Sequence, residues 1–200
     1  MIRLGDADGV RVVTIDRPEA ANALTAPMLE GLIDAVRGAP AETSVLVLTG
    51  AGTRAFSAGA DLAAVRGAGL ATSPLWERLS AAVAAFPALS VAAVNGTLAG
   101  GAFGMALACD LRIAAPGAQF FYPVARMGVL PQPSDPARLS ALVGSARAKL
   151  LLVGGARWDA ATALAAGLVD GVADDPVAAA RGMAGDPAHL AAIKAMVPGR

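Results

Sequence analysis

The chain contains few of the side chains that ordinarily carry chemistry or cross-links. Its 200 residues include one cysteine, one histidine and one tyrosine. A single cysteine excludes an intrachain disulfide framework and is typical of a protein from a reducing compartment. No group of residues has metal-ligand spacing, and no phosphate loop of the Walker type is present, so we expect no metal site.

Net charge is also lacking. Sixteen basic and sixteen acidic residues balance, and only Lys149 and Lys194 among the basic residues are lysines. Because the basic residues are scattered along the chain, we expect no nucleic-acid partner and no electrostatic membrane surface. The first residues lack the apolar stretch of a secretory signal, so we expect a cytoplasmic protein.

Charged residues are absent from positions 79 to 109, which is long enough for a membrane span. Pro87, Asn95-Gly96 and Gly100-Gly101 interrupt this run, and much of it is alanine. The pattern therefore predicts a helix, a strand, a tight turn and a buried helix of a protein that does not enter the membrane.

Apolar runs alternate with turn signals along the chain, which predicts one α/β domain over residues 1–200. An Asp-Gly pair at 8–9 predicts a hairpin between runs 2–4 and 10–15. Further strands are predicted at 44–49, 90–94 and 111–114. Helices are predicted at 25–37 with Thr25 as the cap, and at 61–66, 74–86, 100–108, 135–142, 146–152, 160–165, 176–183 and 187–196.

Two segments carry the most information about function. Residues 56–62 read Phe-Ser-Ala-Gly-Ala-Asp-Leu, and residues 95–104 read Asn-Gly-Thr-Leu-Ala-Gly-Gly-Ala-Phe-Gly. Together with Arg-Pro-Glu-Ala-Ala-Asn-Ala-Leu at 17–24, Cys-Asp-Leu-Arg-Ile-Ala at 109–114 and Ala-Ala-Gly-Leu-Val-Asp at 165–170, in this order and spacing, they resemble the crotonase (enoyl-CoA hydratase/isomerase) family.

The resemblance implies a crotonase-like β-β-α spiral core with surrounding helices, usually in a homotrimer or a dimer of trimers. It implies an acyl-CoA thioester as ligand, with coenzyme A as part of that ligand and no separate cofactor. The backbone N–H groups of Ala60 and Gly101 would form an oxyanion hole for the thioester carbonyl. It also implies a lyase or isomerase of fatty-acid or other acyl-CoA metabolism. The further substrate-binding positions that it implies are Ala20, Ala21, Ala23, Ala58, Asp61, Leu62, Gly100 and Val124.

The departures from the family pattern are as specific as the matches. The two catalytic glutamates of family hydratases would fall at Gly104 and Val124, and neither residue can transfer a proton. We therefore expect ordinary hydration to be absent or very feeble. The family's C-terminal helical extension is also largely absent from these 200 residues.

Other titratable residues offer substitutes. Asp135 and Tyr122 are candidate alternative acid/base groups, although a helix cap is the favoured role for Asp135 and a structural role for Tyr122. Helix capping is likewise favoured for Asp61, and a buried structural thiol for Cys109. His189 has no favoured catalytic role.

Three interpretations remain open. The first is an acyl-CoA enzyme whose reaction is not ordinary hydration. The second is a non-catalytic acyl-CoA-binding carrier, sensor or partner subunit, and the third is a shortened relic without a working site.

Overall fold

Two parallel sheets, with helices packed on them, form the core. The computed structural model describes residues 1–61 and 69–197. The strands are β1 Ile2–Ala7, β2 Val10–Ile15, β3 Val45–Gly50, β4 Ala55–Ser57, β5 Leu89–Val94, β6 Thr97–Ala99, β7 Leu111–Ala114, β8 Gln119–Phe121, β9 Arg157–Asp159 and β10 Gly171–Val172. The α-helices are α1 Ala26–Arg37, α2 Leu75–Ala84, α3 Phe103–Ala108, α4 Val124–Met127, α5 Asp135–Val143, α6 Ser145–Leu152, α7 Ala160–Ala166, α8 Pro176–Arg181 and α9 Pro187–Met196.

A strand–strand–helix unit repeats three times through the middle of the chain. The units are β3–β4–α2, β5–β6–α3 and β7–β8–α4. The first strand of each unit lies in a six-stranded sheet of order β1-β2-β3-β5-β7-β10, and the second in a four-stranded sheet of order β4-β6-β8-β9. This arrangement confirms the β-β-α spiral that the sequence resemblance implied.

The central strands β2, β3 and β5 of the large sheet are buried on both faces, which explains their nearly continuous apolar sequences. In β3, Leu46 and Leu48 belong to the main core cluster, whereas Val45 and Val47 pack in a second cluster with Ala180 of α8. Only β1 pairs antiparallel to its neighbour in this sheet, through the hairpin that the Asp-Gly pair predicted.

Most predicted elements lie within a few residues of the observed ones, with two exceptions and one correction. The predicted helix at 61–66 falls largely outside the described residues. Strands β4, β6, β8 and β9 of the small sheet, strand β10 and the short helix α4 were not predicted. Thr25 occupies the position before α1 as expected, but its side chain makes no capping hydrogen bond, so that part of the prediction was wrong.

Candidate functional site

The candidate site lies at one edge of the small sheet. Strands β4, β6 and β8 are parallel neighbours, so the segments that follow them leave the sheet on the same side. These segments are 58–61, 100–104 and 122–124, which together hold most of the residues selected from the sequence. The carboxyl ends of parallel strands are where α/β proteins commonly bind ligands.

The first two segments meet at Gly59. Its φ is +91°, and a Cβ placed there would lie 2.8 Å from the carbonyl oxygen of Ala99 and 3.2 Å from the backbone nitrogen of Gly101. Only glycine combines that backbone conformation with so close an approach. The glycine in the first signature segment therefore allows the β4 loop to lie directly against the start of the β6 loop.

The N–H group of Ala60 is directed away from its strand partner. Leu24 pairs with Ala60 in an isolated parallel bridge, in which the Leu24 N–H donates to Gly59 O and the Asp61 N–H donates to Leu24 O, each at 2.8 Å. Because successive N–H groups of an extended chain alternate in direction, the intervening Ala60 N–H points to the opposite side. Ala60 is partly exposed, so this donor lies near solvent.

Gly101 stands in the first turn of the helical segment that begins at Gly100. Gly100 has a φ of +58°, and the residue before it is extended. The first N–H groups of a helix have no intrahelical acceptor, which leaves the partly exposed Gly101 N–H available to a ligand. A Cβ at Gly101 would lie 3.3 Å from three ring carbons of Trp76, so an indole closes one side of this backbone.

The segment at 17–24 supports the β4 loop. The Ala58 N–H donates to Ala21 O at 3.0 Å, and the Ser57 hydroxyl donates to Asn22 O at 2.8 Å. The buried Asn22 amide in turn donates to Ala51 O at 3.0 Å and to Ala55 O at 2.7 Å. Thus the structure brings Ala21 and Ala58 together, and it places the neighbouring Ala20 and Ala23 beside them.

Asp61 pairs with an arginine of the same segment. The Arg17 guanidinium donates to Asp61 Oδ2 at 2.6 Å and to Ala23 O at 3.2 Å. Asp61 thus ties the β4 loop to the segment at 17–24. The helix that it was expected to cap, and the predicted ligand contact Leu62, lie outside the described residues.

Gly104 and Asp135 are in direct contact. A Cβ at Gly104 would lie 2.9 Å from Asp135 Oδ1 and 2.8 Å from the Ser80 hydroxyl. The Tyr122 hydroxyl donates to Asp135 Oδ2 at 2.8 Å, and the Tyr122 ring stacks on Phe103 with centroids 5.2 Å apart. The two candidate acid/base residues therefore form a pair beside the position where family hydratases carry a glutamate.

The expected capping role of Asp135 was wrong. Ser134 precedes α5, and no side chain caps the helix from that position. The Ser134 N–H and hydroxyl instead donate to Glu77 Oε1 of α2, at 3.1 and 3.0 Å. Among the described residues, Asp135 Oδ1 is buried without a hydrogen-bond partner.

Burial dominates the protonation of this pair. Desolvation raises the pKa of Asp135 to about 7, although the hydrogen bond from Tyr122 acts in the opposite direction. Desolvation, followed by the negative charge of Asp135, raises the pKa of Tyr122 well above its usual range. Tyr122 is therefore a hydrogen-bond donor throughout the working pH range, and Asp135 titrates near neutrality.

The remaining sequence candidates have structural surroundings. The Val124 side chain lies in the main apolar core at the start of α4. Cys109 is buried, and desolvation raises the pKa of its thiol to about 12, as expected for an unreactive cysteine. His189 is exposed on α9, away from the three site segments in sequence.

Sequence reasoning predicted the helix α2 but did not assign it to the site. Trp76 and Ser80 lie one turn apart on α2 and contact the positions of Gly101 and Gly104. The polar Ser80 among the apolar residues of this helix was the available sequence signal, and the structure shows it buried against the backbone of α3.

In residues 1–61 and 69–197, no group of three or more His, Cys, Asp or Glu side chains could hold a metal ion. Within the same residues, no helix has the length and apolar character needed to cross a membrane.

Comparison with known proteins agrees with this geometry. The sequence model of the enoyl-CoA hydratase/isomerase family matches residues 5–197. A probable enoyl-CoA hydratase, echA6, of Mycobacterium bovis is 36% identical over 194 residues, which cover 96% of this chain and 78% of that protein. A short-chain-enoyl-CoA hydratase of Clostridium acetobutylicum is 36% identical over 176 residues, which cover 82% of this chain and 66% of that protein.

Solved structures give the same result. The structure of Pseudomonas aeruginosa DspI superposes with a TM-score of 0.88 at 33% identity, covering 98% of this chain and 85% of that one. An enoyl-CoA hydratase/carnithine racemase of Magnetospirillum magneticum superposes with a TM-score of 0.89 at 30% identity, covering 98% and 79%. By family match, sequence identity and fold together, the chain belongs to the crotonase superfamily, as an enoyl-CoA hydratase/isomerase-like member.

Proposed function

We propose that this protein binds acyl-CoA thioesters, with the thioester carbonyl oxygen accepting hydrogen bonds from the N–H groups of Ala60 and Gly101. The observation that carries the proposal is the close approach of the two loops at Gly59. A Cβ added to Gly59 would lie 3.2 Å from the Gly101 nitrogen. Two fixed backbone donors stabilise negative charge that develops on the oxygen. Each typically contributes ~3–4 kcal/mol at the transition state of an enzyme.

The proposed activity is not ordinary hydration. Adding water to a conjugated thioester requires one group to deprotonate water and another to deliver a proton to carbon. Gly104 has no side chain, and Val124 is apolar and buried. The proposal is therefore an enzyme whose chemistry passes through an enolate or tetrahedral oxyanion held by the two N–H groups.

A non-catalytic acyl-CoA-binding carrier, sensor or partner subunit is the second candidate. A specific observation favours it: Asp135 has no solvent-exposed surface. In this alternative the loops hold the thioester, and no group of the site transfers a proton to or from it.

The coenzyme A moiety is proposed to run along the backbone of residues 20–23 and Ala58, which the hydrogen bond between Ala58 and Ala21 holds together. The family resemblance further supports a role in fatty-acid or other acyl-CoA metabolism and assembly as a homotrimer or a dimer of trimers. The lone buried thiol fits a reducing cytoplasm. Light scattering on the purified protein tests the assembly directly.

Calorimetric titration tests the binding proposal. Free CoA, acetyl-CoA, crotonyl-CoA and a long-chain acyl-CoA are titrated separately, and the recovered ligands are then weighed by mass spectrometry. Tighter binding of thioesters than of free CoA supports the oxyanion hole. A changed ligand mass identifies an enzyme, whereas binding without any change favours the carrier. Absence of binding to folded protein would refute the proposed function.

Substitution of Gly101 by alanine gives a sharper test. The new methyl group would lie 3.3 Å from the Trp76 ring, so either the indole or the first turn of the helix must move. We expect the preference for thioester over free CoA to fall about tenfold or more, because a misaligned N–H donor loses more than about 1.4 kcal/mol.

Gly117→Ala is the matched control, since a Cβ at Gly117 has no atom within 4 Å. It should leave both affinities unchanged. Retention of the full thioester preference by Gly101→Ala would show that Gly101 is not an oxyanion donor.

A further inference from the structure

We propose that Asp135 is the acid/base residue of this site and that it exchanges the proton on the carbon next to the thioester carbonyl. This inference rests on the proposed function, because it requires a thioester held at Ala60 and Gly101. Four features of the described residues support it: the contact with Gly104, the unpaired oxygen of Asp135, the alignment of the site along α3, and the chemistry that one carboxyl group can perform.

The carboxyl group of Asp135 occupies the space that a side chain at position 104 would need. A Cβ at Gly104 would lie only 2.9 Å from Asp135 Oδ1, closer than carbon and oxygen ordinarily approach. The absence of a side chain at 104 is therefore a condition for the present position of Asp135. A carboxyl group from α5 thus lies beside position 104, where family hydratases carry a glutamate on α3.

The hydrogen bonds of the folded protein satisfy only one oxygen of Asp135. Its Oδ2 accepts the Tyr122 hydroxyl, whereas Oδ1 is buried and lacks a hydrogen-bond partner among the described residues. A buried polar atom without a partner typically costs ~1–3 kcal/mol, more if it is charged. The neighbouring helix end does not use this group, because Glu77 satisfies Ser134.

The unpaired oxygen lies beside Gly104, in the same helical segment as the proposed donor Gly101. Gly101 and Gly104 are three residues apart in one helical segment, so they share a face about one turn, or ~5 Å, apart. Trp76 and Ser80 border the same face from α2. The proposal places the α-carbon of a thioester bound at the Gly101 N–H on the side of the site where Asp135 lies.

One carboxyl group and an oxyanion hole are sufficient for enolisation. Asp135 Oδ1 removes a proton from the α-carbon, the C–H electron pair forms the new C=C bond, and the carbonyl π pair moves to the oxygen held by the two N–H groups. The protonated Asp135 then returns a proton to the α-carbon. In a β,γ-unsaturated thioester it returns the proton to the γ-carbon, which moves the double bond. Both sequences conserve all atoms and consume no water.

The surroundings of Asp135 suit proton transfer in both directions. Burial raises its pKa to about 7, where the acid and base forms are both populated at neutral pH. Three groups face it from the packed elements: Tyr122 after β8, Glu77 on α2 and Arg138 on α5. Tyr122 is a positioning residue, since its hydroxyl fixes Oδ2 and leaves Oδ1 free to react.

Deuterium exchange measures this step without knowledge of the natural substrate. Butyryl-CoA and 3-butenoyl-CoA are incubated with the protein in D2O, and mass spectrometry follows deuterium incorporation and double-bond migration. We expect incorporation with the wild-type protein and a loss of 100-fold or more with Asp135→Asn, which conserves shape and removes the titrating group. Asp34→Asn, an exposed aspartate of α1, is the matched control and should exchange at the wild-type rate.

Two further variants separate a catalytic role from a structural one. Tyr122→Phe removes a hydrogen bond that lowers the pKa of Asp135, so the pH profile of exchange should move to higher pH. Gly104→Ala places a methyl group against Oδ1 and should reduce exchange while butyryl-CoA still binds.

Calorimetry on each variant distinguishes the two proposals. Butyryl-CoA binding by Asp135→Asn at wild-type affinity, with exchange lost, supports the inference. Exchange that persists in Asp135→Asn overturns the inference. If the wild-type protein binds butyryl-CoA without deuterium exchange, the inference is also overturned, but the proposed function stands. Absence of butyryl-CoA binding to the folded wild-type protein overturns the proposed function and, with it, this inference.

Discussion

Two departures from the family pattern act together at the scale of single residues. From the sequence, Gly104 is the loss of a catalytic group, and Asp135 is a candidate acid/base residue for which a helix cap is the favoured role. In the structure each explains the other, because Asp135 Oδ1 stands 2.9 Å from where a Cβ at 104 would be. A buried oxygen without a hydrogen-bond partner lowers the stability of the folded protein. Destabilising groups of this kind recur in active sites.

The stability of Asp135→Asn tests this cost. The pKa of Asp135 rises from 3.8 to about 7 on folding, so the folded protein holds the proton more tightly than the unfolded chain. Stability must therefore fall as pH increases from about 4 to about 7 and stay low above that range. The shift corresponds to about 4 kcal/mol at most, so the asparagine variant should be the more stable protein at pH 8.5, by roughly 1–4 kcal/mol.

Urea denaturation at several pH values measures the difference. The advantage of Asp135→Asn should shrink toward zero as the pH falls to about 3, below the unfolded-state pKa of 3.8, where the wild-type carboxyl group is largely protonated in both states. Asp34→Asn should show no such pH-dependent gain. A wild-type protein that is the more stable of the two at pH 8.5 would contradict a desolvated carboxylate at this position.

At the scale of elements, turn glycines set how closely β4 and β6 approach each other. A Cβ at Gly96 would lie 2.6 Å from the carbonyl carbon of Arg54 and 2.7 Å from the nitrogen of Ala55, which are backbone atoms at the start of β4. Asn95 beside it donates to Gly52 O at 2.7 Å. The Asn-Gly pair of the second signature segment is thus a support for the sheet edge that carries the site.

Gly96→Ala should destabilise the protein by about 1–3 kcal/mol, because the backbone of β4 must shift to admit the methyl group. Gly117→Ala, in open space, should stay within about 0.5 kcal/mol of wild type. Urea midpoints compare the two variants. Equal stability of Gly96→Ala and Gly117→Ala would show that β4 yields without cost at this turn.

The sequence predicted long elements well and short ones poorly. Strands β2, β3 and β5 and the longer helices show their periodicity over six or more residues, which is enough to recognise. Strands β4, β6, β8 and β9 have three residues each, and their stability comes from pairing with distant neighbours. The candidate site lies on this small sheet. The sequence motifs selected Ala60 and Gly101, but the contact of Asp135 with Gly104 could be recognised only from the tertiary structure.

At the scale of the whole molecule, the three β-β-α units place their second strands side by side. This repetition brings Ala60, Gly101 and Tyr122 to one edge although they come from separate units. The same repetition leaves the final helix outside the spiral. None of the residues of α9 is fully buried, although Leu190 packs against the main core, so polar contacts are an important part of its attachment.

Lys194 provides the principal polar attachment of α9. Its ammonium group donates to Phe86 O at 2.8 Å, to Ala88 O at 2.9 Å and to Asp110 Oδ2 at 2.7 Å. Phe86 and Ala88 lie between α2 and β5, and Asp110 immediately precedes β7. One side chain therefore attaches the last helix to two units of the spiral. Elements with little buried apolar surface open at low free energy when such a contact is removed.

Lys194→Ala should therefore release α9 locally without unfolding the sheets. Hydrogen–deuterium exchange should increase across residues 187–196 by an order of magnitude or more, while β3 and β5 keep their protection. Lys149→Ala, which removes the other lysine from an exposed position on α6, is the matched control and should leave α9 unchanged. Unaltered protection of α9 in Lys194→Ala would show that its apolar contacts hold it to the spiral unaided, whereas loss of protection throughout β3 and β5 would show that α9 belongs to the global folding unit.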